Sequence, residues 1–236
     1  MLLSWGCWHL AAVCDVLGLH GGGASVQRAA KMLRSEGALT MSRVRGSALD
    51  ALRGVLLKYS SPHPGRAPAA ALGLGGARSL TVEQTVPASE ESAVNAMVEG
   101  MLVELQRYKD VLAGVLPPDY VPAGAAALHD DVASWLTMQM IGAAGFTEDE
   151  CSFLPRALGP LVASYPPVHA PSSAHRRLTA VLRMLDGTPL ADFPRAFASG
   201  GEWSALFAAD EVVAVVRAVF ADSQRRAAVL AQLEGS

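Results

Sequence analysis

Between Ser89 and Leu116 the chain reads SEESAVNAMVEGMLVELQRYKDVLAGVL, and the spacing of its apolar residues decides the fold class. Val94, Val98, Met101, Leu105, Tyr108, Leu112 and Val115 recur at alternating intervals of four and three, which keeps their side chains on one face of an α-helix. Ser89 stands as an N-cap after Pro87, Glu90 and Glu91 fall in the first turn where the helix dipole favours negative charge, and Pro117 and Pro118 end the run. The span is 28 residues, about 42 Å long at a rise of about 1.5 Å per residue. Met97, Leu102, Val103, Val111 and Leu116 widen the stripe beyond a coiled-coil seam, which predicts a long bundle helix with several neighbours.

Upstream the helical period continues. Val26, Ala30, Leu33, Leu39, Val44, Ala48, Leu52, Val55 and Leu56 recur near it, with a break expected around Gly37. Residues 60–88 form a flexible Pro/Gly/Ala-rich loop by composition. The GLGG at Gly73–Gly76 is linker, because it has neither the GK[ST] ending of a phosphate loop nor a strand before it. The first twenty residues, MLLSWGCWHLAAVCDVLGLH, lack a basic leader, and His9 and Asp15 interrupt the apolar run, so a buried helix is expected there and no membrane insertion. A chain that opens inside a core helix with no cap before it reads as the C-terminal part of a longer protein.

Downstream, a helix is expected from near Pro122 to Gly142, its body holding Leu128, Val132, Trp135, Leu136, Met138, Gln139 and Met140. Its His129–Asp131 triplet, HDD, tempts a metal reading. An aspartate-rich helical metal site needs a further carboxylate one turn on, and Ser134 and Trp135 stand there, so a solvated face is expected. In GFTEDE, Thr147 and Glu150 have capping-box spacing, with Phe146 and Cys151 at the positions of a hydrophobic staple. After the break YPPVHAP come two shorter candidates, His175–Leu185 and Pro189–Ala198. The last stretch, Glu211–Leu233, EVVAVVRAVFADSQRRAAVLAQL, is expected as one terminal helix capped by Asp210. One of its faces would bury Val212, Val216, Val219, Phe220 and Ala227, with Val213 and Leu230 beside them. The other would leave Arg217, Gln224, Arg225 and Arg226 to a partner or to solvent.

No stretch alternates at period two between hairpin turns, so the fold class is all-α, with residues 1–59 a first helical segment, 60–88 the loop and 89–236 a C-terminal helical bundle. The chain has 236 residues, 51% of them hydrophobic, which suits a globular chain with a sizeable core. A formal net charge of -3 gives no general attraction to nucleic acid or to an anionic membrane surface. Cys7, Cys14 and Cys151 are an odd, scattered set and read as small apolar core residues in a reducing compartment, without a disulfide framework. Cys7, His9, Cys14 and His20 lack the close spacing of a zinc site, and no nucleophile, base or cofactor motif is recognisable, so no catalytic, cofactor or metal residue is assigned. The alternative of an all-α enzyme or a small-molecule binder would need convergent polar groups in a pocket.

The stretch GGEWSALFAADEVVAVVRAVFADSQRRAAVLAQL resembles the extreme C-terminus of the Zeste-White-ten family of kinetochore and vesicle-tether proteins, related to the yeast Dsl tether subunit. Its most specific part holds Arg217, Phe220, Gln224, Arg225, Arg226, Ala227, Ala228 and Leu230. LAGVLPPDYVPAGAAALHDDV followed by GFTEDE is similar to the same family in order, as more loosely is MLRSEGALTMSRVRGSALDAL. The YPPVHAPSSA connector is shorter than is usual there. The resemblance implies elongated stacked helical bundles of the multisubunit-tether type and a non-enzymatic scaffold, cytoplasmic and peripheral at the endoplasmic reticulum and/or the kinetochore. It implies Golgi-to-ER retrograde transport with SNARE-associated subunits, or spindle-checkpoint and dynein recruitment in mitosis with Rod and Zwilch-like subunits. The C-terminal region would then meet a Rod-type helical-solenoid subunit, with Arg217, Gln224, Arg225 and Arg226 as its candidate contacts.

Overall fold

The computed structural model describes residues 22–59, 88–143, 145–166, 170–198, 201 and 203–235. The expectations for the first twenty residues, for Cys7, His9, Cys14 and His20 as zinc ligands and for the loop of residues 60–87 fall outside them. Among the described residues every regular element is helical, and there is no strand. Two long helices come first, α1 (Gly22–Tyr59) and α2 (Ala88–Val115). A 3-10 turn (Pro118–Tyr120) leads into α3 (Val121–Ile141), followed by α4 (Glu148–Ala163) and α5 (Ser173–Leu185). A second 3-10 turn (Leu190–Asp192) runs into the short α6 (Phe193–Phe197), and α7 (Ala209–Val219) and α8 (Gln224–Glu234) close the chain. The all-α class is thus as the periodicity predicted.

The stripe of α2 faces inward as its spacing requires: Val94, Met97, Val98, Met101, Leu105, Tyr108 and Leu112 are all buried, against α1, α3 and α4. Three positions depart from expectation. Val103 is exposed because it lies two residues, about 200°, round the helix from Met101. Val111 and Val115 are exposed too, so the stripe is narrower and one turn shorter than the sequence suggests. The helix begins at Ala88, which places Ser89 inside it and not at its cap. Likewise α1 passes through Gly37 without the expected break. Interior glycine costs only about 1 kcal/mol relative to alanine, which a long helix tolerates.

α3 is the centre of the molecule. It packs on α5 and also on α1, α2 and α7, so neighbours meet it on nearly every side. Its close approach to α2 uses Gly124, where a Cβ would come within 2.9 Å of the Leu112 side chain. α4 starts with the capping box read from sequence: the Glu150 backbone N–H donates to Thr147 Oγ1 (3.2 Å) and the Thr147 N–H donates to the Glu150 carboxylate (2.8 Å). α5 is stopped by Gly187, whose φ of 71° suits a residue without a Cβ.

The C-terminal stretch corrects the sequence reading most. It is two helices and not one, because Phe220 turns extended (φ -108°, ψ 134°) after α7 and Ser223 caps α8 by accepting the Arg226 N–H at 3.1 Å. Leaving the helix brings the Phe220 ring edge-on to Phe193, with centroids 5.6 Å apart. The break rotates the second half, so Ala227 is exposed and Leu230 half-buried while Val229 and Leu233 are buried. Asp210 lies in the first turn of α7 and not at its cap. Glu211 accepts the Ala208 N–H at 3.0 Å and an ion pair from Arg177 of α5, whose guanidinium also lies 5.1 Å from the Phe207 ring centroid.

Candidate functional site

The polar chemistry of the described residues gathers around α3, at the triplet expected on a solvated face. His129 is buried and Asp130 and Asp131 are half-buried; Asp131 meets Arg45 of α1, while His129 and Asp130 share Tyr165, ahead of α5. Successive helical residues point about 100° apart, so a helix packed on most sides sends consecutive side chains to different neighbouring segments. The signal was present in the sequence, since α3 is apolar nearly all round, which marks a buried helix.

Asp131 points to α1, where Arg45 Nε lies 2.8 Å from its carboxylate. This pair sits beside Tyr108, whose phenol is held above its ordinary pKa chiefly by burial, with Arg45 opposing and Asp131 adding to the rise. Next to it, Leu49, Leu52, Met101, Val132, Trp135 and Met138 line an apolar groove of about 300 Å³ between α1, α2 and α3. Met138, expected in the helix body, is the most exposed of the large apolar residues here.

Asp130 points to the segment between α4 and α5. It accepts the Tyr165 hydroxyl at 3.1 Å and the Ser172 hydroxyl, while Ser172 Oγ in turn accepts the His175 backbone N–H at 3.0 Å and caps α5. The serine hydroxyl therefore donates straight to a carboxylate, which fixes the geometry of the cap. Tyr165 touches both histidines, the His129 ring edge-on at 5.8 Å and the His175 ring at 4.1 Å between centroids. Beside them a cleft of about 110 Å³ is lined by Leu105, Gln106, Lys109, His129, Ser164 and Tyr165. Burial lowers the His129 imidazole to about 4, helped by His175 and Lys109 and opposed by Asp130. His175 is lowered in the same direction by burial, with Asp130 opposing.

The four residues singled out at the C-terminus separate into two roles. Gln224 and Arg225 are exposed on α8. Arg217 is exposed on α7 and pairs with Glu234 across the turn at 3.1 Å. Arg226 is not on the free face: its guanidinium pairs with Asp222 at 2.8 Å and donates to the Phe220 carbonyl at 2.7 Å. Cys151 is half-buried, and burial first, then Glu150 and Glu148, push its thiol up to about 12.

Among the described residues no group of three His, Cys, Asp or Glu side chains is placed to hold a metal ion. None of the described helices is long and apolar enough to cross a membrane. Comparison with known proteins finds no matching family model, no similar curated protein and no similar solved structure.

Proposed function

We propose that this chain is a non-enzymatic scaffold subunit of a multisubunit tether of the Zeste-White-ten type, working in Golgi-to-ER retrograde transport, at the kinetochore, or both. In this reading it is cytoplasmic and peripheral at its membrane or chromosome site. It meets a Rod-type helical-solenoid subunit through α7 and α8, and the other subunits, Zwilch-like or SNARE-associated, through the complex. The specific family placement rests on the C-terminal sequence resemblance. The observation that carries the scaffold reading is the division of labour within α7–α8. Val212, Val213, Val215, Val216, Val229 and Leu233 are buried, which holds the pair rigidly on the bundle, while Arg217, Gln224 and Arg225 stand outward. Arginine at a rigid surface suits partner recognition, because its planar fork can hold a carboxylate at two points.

The test is co-purification of the full chain with a Rod-type solenoid subunit. Wild type is expected to bind and Arg225→Glu to bind more weakly at an unchanged melting temperature. Arg226 is left intact, since reversing it would break the end of α7. Failure of the wild type to bind would overturn the tether reading. Equal binding by the variant would remove Arg225 from the interface.

A further inference from the structure

We propose that His129 and His175, both packed against Tyr165, form with Asp130 and Lys109 an acid-sensitive latch that holds the start of α5 on α3 at neutral pH and releases it on mild acidification. The latch is independent of the partner assignment above.

The closed state is held by one carboxylate. Asp130 accepts both hydroxyls, from Tyr165 ahead of α5 and from Ser172 at its cap, so a single residue of α3 positions the N-terminus of α5. The groups facing His129 are then Asp130 on its own helix, Lys109 from α2, His175 from α5 and the Tyr165 ring from the connection. Two of these are cationic or become so. A proton on His129 would place a charge in a buried site beside Lys109 and a second imidazole. The one anion close by already has two hydroxyl donors. Opening the segment gives the imidazolium back to water, where desolvation no longer opposes it.

The sign follows from the direction of the shifts. Both imidazoles bind protons less readily when the segment is closed, so the open form takes up protons first. Closure is therefore strongest above the ordinary imidazole range near 6.5, and weakens as the pH falls from there towards about 4, below which His129 adds nothing further. At about pH 5 the closed-to-open ratio is expected to be roughly thirtyfold below its neutral value from His129 alone.

Amide hydrogen exchange on the full chain, corrected for the intrinsic pH dependence, tests this. His169 lies outside the described residues and is replaced by Gln in every sample so that it does not titrate. Between about pH 7.5 and pH 5, amides of the first turns of α5, from His175 to Leu178, are expected to lose protection by an order of magnitude or more. Those of Val212–Ala218 in α7 should not. His129→Gln should abolish most of the loss. Lys109→Met, at an exposed position on α2, removes a positive charge that opposes protonation of His129 in the closed state, so the loss accumulated by about pH 4 should be smaller than in wild type while its onset near 6.5 is unchanged. Equal protection of α5 at both pH values in the wild-type background would overturn the latch, as would the same loss in His129→Gln. Should His129→Gln not fold, a loss at about pH 4 in Lys109→Met as large as in wild type would overturn it.

Discussion

The Arg226 guanidinium donates a hydrogen bond of 2.7 Å to the carbonyl oxygen of Phe220, so the first turn of α8 closes the end of α7. The contact explains why the apolar half and the basic half of the C-terminal stretch belong together. A helix end leaves carbonyl groups without intrahelical partners, and a cation there also meets the negative end of the helix dipole.

Arg226→Ala is expected to destabilise the fold by about 1–2 kcal/mol, since it leaves a partly buried carbonyl without its charged donor. The pair with Asp222 adds little to this, because Asp222 is 90% exposed. Arg225→Ala, one residue away and exposed, should stay within about 0.5 kcal/mol. Urea denaturation of the two variants side by side checks the contrast, and equal midpoints would refute the role given to Arg226.

Val216 has no exposed surface, so Val216→Asp places an unpaired carboxylate in the core. A loss of several kcal/mol is expected, enough to unfold a marginally stable bundle. Arg217→Ala removes only an exposed pair with Glu234 and should change stability by less than about 1 kcal/mol. Thermal melts followed by far-UV circular dichroism distinguish the two.

Asp130→Ala removes the shared acceptor of Tyr165 and Ser172 and is expected to cost about 2–3 kcal/mol. Ser172→Ala should cost about 1–2 kcal/mol through the lost cap and the lost hydrogen bond. Because the two act through one contact, the double variant should lose less than the sum of the singles. A double-mutant cycle in urea measures this, and strict additivity would show that the hydroxyl–carboxylate contact contributes nothing.

Cys151 should be nearly inert in the folded protein. With its thiol pushed up to about 12, thiolate at neutral pH amounts to well under about one molecule in 10,000. Iodoacetamide labelling followed by peptide mapping is expected to leave Cys151 unmodified in the native protein and to modify it in denaturant. Rapid native labelling would contradict the burial that raises it.

Much of the fold was legible because helices announce themselves locally. The four-three spacing of Val94 to Leu112, the Thr147–Glu150 capping box and the prolines after Leu116 each act within one or two turns of chain. The burial of the candidate site was marked by the all-round apolar character of α3, but its partners were not legible, for the opposite reason. His129, Asp130 and Asp131 are neighbours in sequence, yet their partners Tyr165, Ser172, His175 and Arg45 come from distant segments. Only the packing of α3 among α1, α2 and α5 brings them together.

The same division runs through the C-terminus. By itself the sequence determined that Glu211–Val219 and Gln224–Leu233 are helical and that Val212 and Val216 face inward, because valine spacing and burial are coupled within a single helix. Where the helix breaks was decided by tertiary structure: Phe220 gains a core contact with Phe193 by leaving the helix, and Ser223 and Arg226 satisfy the ends the break creates. No local pattern carries that choice, since the free energy that favours it lies in a ring contact with a residue 27 positions earlier in the chain.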